Sequence, residues 1–260
     1  MLHWLRTRFS RVAPAAAPAL PTPDRAVYVV GDLHGRADLL ERILEHIDGD
    51  IGQAGVQNPH LVFVGDYVDR GPDSAAVLDR LHGLTQEFPD NVTCLMGNHD
   101  RMLLDFLADP VVRGPRWLRA GAHDTLRSFG LPAGVLPRSP GPETLIELAA
   151  LLQSTLTVAR QRWLSSLPLS WSSGNLWVVH AAADPQHPME DQTPRTLLWG
   201  HPEFETRPRR DGIWVAHGHN PVKVPGFRDG RIATDTGAWQ TGRLTACAIR
   251  PDGSHRFLQT

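Results

Sequence analysis

Five short apolar runs in the chain each end close to residues that can bind a metal ion. The runs and the segments that follow them are Val27–Val30 with Gly-Asp-Leu-His-Gly at 31–35, Leu61–Val64 with Gly-Asp-Tyr-Val-Asp-Arg-Gly at 65–71, Val92–Met96 with Gly-Asn-His-Asp at 97–100, Leu176–Val179 with His180, and Ile213–Ala216 with His217-Gly218-His219. Apolar runs of this length, bounded by glycine, are typical of buried strands. Ligands of an open α/β sheet lie beyond the carboxyl ends of its strands. The segments are therefore predicted to converge on one edge.

The residues between the first three runs carry apolar side chains at helical spacing. The predicted helices cover Ala37–Ile47, Ser74–Leu84 and Arg101–Ala108. Strands that alternate with helices favour an α/β fold with a parallel sheet core and right-handed crossovers. Two later runs, Arg231–Ala233 and Leu244–Ile249, are expected to form an antiparallel finish to the sheet.

The section 110–169 contains no strand-like run. It is predicted to be a helical insertion over the site within one catalytic domain, 25–260. Its expected helices are Arg116–Phe129, Glu143–Leu152 and Thr157–Leu167. Prolines interrupt an Ala-rich segment before Arg25, so residues 1–24 are expected to form a flexible tail; weak docking of the Trp4/Phe9 segment on a membrane or partner is the alternative.

Composition limits the classes of function. Of the 260 residues 41% are hydrophobic and 21% charged, as in ordinary soluble globular proteins. A net charge of −2 argues against a nucleic-acid-binding surface. The chain has no apolar stretch of about 18 residues, so neither a transmembrane helix nor stable membrane insertion is predicted. Cys94 and Cys247 lie in apolar runs and are expected to be buried free thiols, which suits a reducing cytoplasm.

The polar residues after the runs predict a pair of divalent cations, because carboxylate, amide and imidazole groups are suitable ligands. One metal is expected to bind Asp32, His34 and Asp66. The other is expected to bind Asp66, Asn98, His180 and His219, so that Asp66 bridges the two. Metals roughly 3.5–4 Å apart would lower the pKa of a bridging water, whose hydroxide attacks phosphorus. The chain is thus predicted to be a dinuclear metal hydrolase.

Three further residues complete the predicted mechanism. His99 follows a metal ligand and is placed to protonate the leaving oxygen, which is typically worth about 10²–10⁴ in rate. Asp69 is expected to orient His99 and keep it protonated. Arg70 offers a planar fork of donors to the phosphoryl oxygens.

The motifs GDLHG, GDYVDRG and GNHD, a strand that ends in His and a late GH together resemble the PPP family of phosphoprotein phosphatases, within the calcineurin-like metallophosphoesterases. The resemblance covers about 25–249 and is strongest to the compact bacterial branch. It implies a β-sandwich flanked by helices, a dinuclear site of the Mn²⁺, Fe or Zn type, and the same ligand, acid and arginine roles. The GH-x-P pattern of the family matches His219 and Pro221, which leaves His217 in a supporting role.

The chain departs from the family at the second phosphate-binding arginine. Related bacterial sequences resemble Leu-Leu-Trp-x-Arg there, whereas this chain has His201 after Leu197-Leu198-Trp199-Gly200. Arg195, Arg207 or His201 itself are the candidates for the second phosphate contact.

Three functions compete. The resemblance favours a serine/threonine phosphoprotein phosphatase, with Mn²⁺ as the expected metal and a phosphorylated protein or small phosphoester as substrate. The alternative is a symmetric dinucleoside tetraphosphate hydrolase; these enzymes share GDxHG and GNHD but resemble GDLVARGP in the second motif, so Asp69 favours the phosphatase. A degenerate metal-binding or scaffolding protein is disfavoured, because every metal-binding position is filled.

Overall fold

The fold is built from short strands and longer helices. The structure, a computed structural model, describes residues 20–132 and 140–260. Within these ranges the strands are β1 Val27–Val30, β2 His60–Phe63, β3 Val92–Cys94, β4 Ser170–Ser173, β5 Leu176–Val179, β6 Trp214–His217, β7 Gly226–Arg228, β8 Arg231–Ala233, β9 Thr245–Ile249 and β10 His255–Gln259. The α-helices are α1 Ala37–Ala54, α2 Ser74–Glu87, α3 Asn98–Ala108, α4 Pro110–Ala120, α5 Ala122–Ser128, α6 Pro142–Thr155, α7 Val158–Ser166, α8 Pro194–Trp199 and α9 Ala238–Thr241.

The strands form two five-stranded mixed sheets, one in the order β10-β9-β1-β2-β3 and the other in the order β4-β5-β6-β8-β7. β1, β2 and β3 are parallel, and so are β5, β6 and β8. The predicted α/β class and β-sandwich are confirmed. The two runs predicted as an antiparallel finish do form antiparallel pairs, β8 with β7 and β9 with β1 and β10. They do not finish one sheet, however, because β8 lies beside the parallel strand β6 in one sheet and β9 lies in the other. Two apolar runs close in sequence do not reveal that the chain crosses between sheets.

Two apolar layers hold the sandwich together. Alternate residues of the parallel strands, such as Val29 and Val62 in one sheet and Val178 in the other, fill the space between the sheets. The opposite faces of β1 and β2 pack against Leu40 and Ile43 of α1. Burial of one such side chain stabilises the fold by about 1.5–3 kcal/mol. The carboxyl ends of β1, β2 and β3 are thereby fixed side by side.

The described parts of the section, 110–132 and 140–169, contain the four helices α4 to α7 and no strand. The helix predicted over Arg116–Phe129 is instead two helices, because Gly121 adopts φ 118° between them. This backbone conformation suits glycine and ends a helix. Trp117 of α4 packs against Phe106 of α3, with ring centroids 4.8 Å apart.

The predicted tail lies outside the described residues up to residue 19. Its last residues contact the turn between β4 and β5: the Thr22 amide donates to Asn175 Oδ1 at 2.6 Å, and the Asp24 amide donates to Ser173 Oγ at 2.9 Å. Cys94 and Cys247 are buried free thiols, as predicted. None of the helices in the described ranges has the length and apolar character needed to cross a membrane.

Candidate active site

The loops after β1, β2 and β6 contain an unusual concentration of strained backbone. Five non-glycine residues there have positive φ, namely His34 (42°), Asp66 (54°), Asp69 (73°), Arg70 (69°) and His219 (66°). Such conformations cost on the order of 1–3 kcal/mol each and persist where the surrounding structure enforces them. All five are residues that the sequence predicted to act in the site.

Asp66 lies between two buried histidines. Its Oδ2 is 3.5 Å from His34 Nε2, and its Oδ1 is 3.4 Å from His180 Nε2. Asn98 Oδ1 is 2.8 Å from both His180 Nε2 and His219 Nδ1. The ligand atoms of Asp66, His180 and His219 all lie within 4.8 Å of one another. One carboxylate therefore faces two separate sets of donor atoms.

The backbone determines which nitrogen of each histidine faces the cluster. His34 Nδ1 is 2.8 Å from the carbonyl oxygen of Val68, and His180 Nδ1 is 3.0 Å from that of Val64. Since a carbonyl only accepts, both Nδ1 atoms carry the proton, and the Nε2 lone pairs point at Asp66. Burial lowers the pKa of His34 to about 3 and also lowers the pKa of His180. Both are neutral imidazoles, the form that binds metals.

Two more carboxylates lie beside Asp66. Asp32 accepts hydrogen bonds from the backbone N–H of His219 at 3.2 and 3.1 Å. Burial, followed by the neighbouring Asp235 and Asp66, raises the pKa of Asp32 well above its usual value. Burial and then Asp66 raise the pKa of Asp235 to about 6. Buried carboxylates that face one another in this way require a cation to remain charged.

The donor set fits a pair of divalent metal ions. The cluster combines carboxylate, amide and neutral imidazole groups, all of which can act as metal ligands. Two hydrogen-bond acceptors, Asn98 Oδ1 and His180 Nε2, lie 2.8 Å apart, and a cation bound to both would stabilise this arrangement. The structure also places His99 with His34 and Asp66, their ligand atoms within 4.8 Å of one another. The predicted partition, in which Asp32 is a ligand and His99 is not, stays a prediction.

Asp100 joins the loops that carry the site. Its carboxylate accepts hydrogen bonds at 2.9 Å from the amides of Asp66, Tyr67 and Gly97. Asp100 also caps α3, since the Gly97 amide lies at the start of this helix. Asp100 thus sets the position of Asp66 relative to Asn98.

The predicted pair of Asp69 and His99 is present and buried. His99 Nδ1 lies 2.6 Å from Asp69 Oδ2. Burial lowers the pKa of His99, but the carboxylates of Asp66 and Asp69 outweigh this effect, so the pKa is raised overall. His99 Nε2 is on the opposite side of the ring from Asp69, where it accepts from Arg70 Nη2 at 3.0 Å. It can hold a proton for a leaving group once Arg70 donates to a phosphoryl oxygen instead.

The helical section supplies two partners of Asp69 that sequence reasoning missed. Trp117 Nε1 donates to Asp69 Oδ2 at 3.0 Å, and Thr125 Oγ1 donates to Asp69 Oδ1 at 2.7 Å. The Asp69 amide donates in turn to Thr125 Oγ1 at 2.7 Å. The family resemblance covers this section as part of 25–249, but the apolar pattern of the segment from Trp117 to Gly130 predicts only packing.

Arg70 bridges the metal-binding cluster and the acid. Its Nη1 lies 3.0 Å from His34 Nε2, and its Nη2 lies 3.0 Å from His99 Nε2. The Arg70 amide donates to the Gly121 carbonyl at 3.2 Å. The guanidinium is therefore placed where a phosphoryl group bound between the cluster and His99 would accept from it.

The candidates for a second phosphate contact are engaged elsewhere or exposed. His201 Nε2 is 3.4 Å from Asp184 Oδ2, and Arg207 Nη1 is 3.1 Å from Glu203 Oε2. Arg195 is exposed on α8. A phosphate-binding role for any of the three stays a prediction. His217 is buried, and its ring centroid lies 4.9 Å from that of Phe204. A supporting role for it stays a prediction.

Comparison with known proteins settles the family. Residues 26–244 match the calcineurin-like phosphoesterase family. The chain belongs to this family. It is accordingly a metallophosphoesterase, an enzyme class that depends on divalent metal ions, and this agrees with the donor cluster at the strand ends.

Curated relatives are named as tetraphosphatases. The chain is 27% identical to the asymmetrical bis(5'-nucleosyl)-tetraphosphatase of Oceanobacillus iheyensis, over 84% of this chain and 86% of that protein. It is 34% identical to the symmetrical bis(5'-nucleosyl)-tetraphosphatase of Acidovorax sp. strain JS42, over 64% of this chain. The match spans 47% of the length of the Acidovorax protein.

Solved structures share the fold of this calcineurin-like phosphoesterase. A candidate diadenosine tetraphosphatase superposes with TM-score 0.57 at 23% identity, covering 92% of this chain and 96% of that one. A cold-active protein tyrosine phosphatase superposes with TM-score 0.56 at 17% identity, covering 90% and 78% of the two chains. At these identities the comparison concerns the fold alone.

Proposed function

We propose that the chain hydrolyses the polyphosphate bridge of dinucleoside polyphosphates, a class that includes the substrate of the symmetric tetraphosphate hydrolase offered by the sequence as the alternative. The observation that carries the proposal is the match to the asymmetrical tetraphosphatase, which runs over most of both chains. The serine/threonine phosphatase suggested by the sequence motifs has no comparable support among these relatives.

The geometry described above supports the proposed site residues. The metal ligands are Asp32, His34, Asp66, Asn98, His180 and His219. Two bound divalent ions, for which we propose Mn²⁺, would activate a water and neutralise charge on the phosphate chain. Arg70 binds the phosphoryl oxygens through its two terminal nitrogens, and His99 holds a proton at Nε2 for the leaving oxygen.

One observation favours a second candidate, a phosphoserine or phosphothreonine phosphatase. The pair of Asp69 and His99 is complete, and Trp117 and Thr125 secure it from the helical section. A serine or threonine alkoxide is a far poorer leaving group than a nucleotide phosphate, so it gains more from a general acid. A general acid that several hydrogen bonds hold in place is expected in an enzyme whose substrates have poor leaving groups.

A side-by-side measurement separates the two candidates. The Mn²⁺-loaded protein is assayed for kcat/KM on diadenosine tetraphosphate and on a phosphothreonine peptide. We expect a clear preference for the dinucleotide, and the ratio of AMP plus ATP to ADP in the products then reports asymmetrical or symmetrical cleavage. A preference for the peptide would overturn the proposal in favour of the phosphatase. Asp66→Asn should abolish both activities, which excludes a contaminating enzyme.

A further inference from the structure

An exposed tryptophan lies next to the phosphate-binding arginine. Trp239 is 38% exposed, and the Arg70 guanidinium carbon lies over its ring, 5.4 Å from the centroid. Among the described residues, Phe88 is the other exposed large aromatic, and it lies before β3, at the end of the sheet opposite to the site. An indole with this much open surface beside a charged cluster has room for a planar partner.

The position of Trp239 is fixed by the segment that also carries Asp235. The Gly237 amide donates to Asp235 Oδ1 at 2.8 Å, and Arg36 Nη1 donates to the Ala238 carbonyl at 2.9 Å. The short helix α9 is therefore anchored on one side to a carboxylate of the cluster and on the other to the loop before α1. Since both neighbours are held, the ring stays beside the site.

Arg70 connects the reaction centre to this ring. One side of the guanidinium reaches His34 and His99, while its face lies on the indole within the range of a cation–π contact. When the phosphate of a nucleotide accepts from Arg70, the ribose and base of that nucleotide extend past the guanidinium. Trp239 is the exposed aromatic side chain that contacts this guanidinium.

We propose that Trp239 is the platform on which a nucleobase of the substrate stacks, and that it selects nucleotides over other phosphate compounds. This inference rests on the proposed function, because it names the part of the site that would recognise a nucleoside. Stacking on an aromatic ring tolerates any base, since each base offers a π face. The platform therefore recognises nucleotides as a class without selecting one base.

The test is direct binding to the Mn²⁺-loaded full chain by isothermal titration calorimetry, with AMP and with inorganic phosphate as separate probes. Trp239→Ala should weaken AMP binding by about 5- to 150-fold, the loss expected for one stacked base, and leave phosphate binding unchanged. Trp239→Phe should retain most of the affinity for AMP. Phe88→Ala removes an equally exposed aromatic far from the site and should change neither affinity.

Unchanged AMP affinity in Trp239→Ala would overturn the inference. An equal loss for AMP and phosphate would also overturn it, because the indole would then act only by holding Arg70. Failure of the proposed function gives a different result, namely no hydrolysis of diadenosine tetraphosphate by the unmodified protein. The binding experiment does not depend on that activity.

Discussion

Asp69→Asn tests how much the buried carboxylate contributes to His99 as an acid. In the structure Oδ2 of Asp69 accepts from His99 and Trp117, and Oδ1 accepts from Thr125. An asparagine can keep the first two contacts with its carbonyl oxygen. Its amide then faces the Thr125 hydroxyl, which can rotate to accept. The substitution therefore removes the charge and keeps the shape.

The expected loss follows from the change in one hydrogen bond. A bond to a charged group contributes about 1.5–3 kcal/mol, against about 0.5–1.5 kcal/mol for a neutral pair. The difference of about 1–1.5 kcal/mol corresponds to a fall of about 5- to 13-fold in kcat when proton transfer to the leaving group limits the rate. The loss should be much smaller for a leaving group that needs no proton.

The pH dependence supplies a second readout. Burial lowers the pKa of His99, but the carboxylates of Asp66 and Asp69 outweigh burial, so that the pKa is raised in the native protein. An acid must be protonated, so activity is present below this pKa and is lost as the pH rises through it. Without the charge at position 69 the pKa falls, and the loss of activity should begin at a lower pH.

The assay compares kcat for phenyl phosphate and p-nitrophenyl phosphate, whose leaving groups differ in basicity, across the pH range. Metal content of the variant is the control and should equal that of the unmodified protein. A fall of equal size for both substrates, or an alkaline limb at the original pH, would refute the role of Asp69 in supporting the acid.

Three further substitutions test separate parts of the structure. Thr125→Val removes a hydroxyl that both accepts from and donates to Asp69, so we expect the free energy of unfolding in urea to fall by about 1–3 kcal/mol and kcat to fall as well. Thr125→Ser should restore both values, and full stability of the valine variant would contradict the contact. Gly218→Ala would place Cβ 1.9 Å from Asp32 Oδ1, so calorimetry should show weaker Mn²⁺ binding, and undiminished affinity would argue against Asp32 as a ligand. Burial, followed by Arg25, lowers the pKa of His60 to about 4. The unfolded chain thus binds a proton that the native protein does not, and the free energy of unfolding should decline by about 3 kcal/mol as the pH falls from about 6.5 to 4. Urea titrations at several pH values should show a weaker pH dependence for His60→Gln, and an unchanged dependence would mean that other groups cause it.

Elements with a clear apolar pattern could be predicted from the sequence. The observed bounds of β1 and β5 agree with the predicted runs, because all or nearly all of their side chains are buried. β4 was missed because Ser170–Ser173 is polar and lies at the edge of its sheet, where burial imposes no pattern. β10 is likewise an edge strand with exposed residues at its start.

The site could be predicted to a similar extent. The strand ends identified the residues around Asp66, since the parallel strands within each sheet bring their carboxyl ends together. The single sheet that the sequence predicts is two sheets in the structure, and His180 and His219 follow β5 and β6 of the second one. The partners of Asp69 could not be predicted, because Trp117 and Thr125 reach it through a tertiary contact between distant segments. The exposure of Trp239 depends in the same way on how the segment between β8 and β9 crosses from one sheet to the other.

Metal stoichiometry tests the central claim of a dinuclear centre most directly. The protein is loaded with Mn²⁺, freed of excess metal and analysed by elemental mass spectrometry, beside Asp66→Asn and His99→Asn. We expect two ions per chain, a marked loss in Asp66→Asn, and two ions with reduced turnover in His99→Asn. A single ion in the unmodified protein, or loss of metal in His99→Asn, would contradict the account.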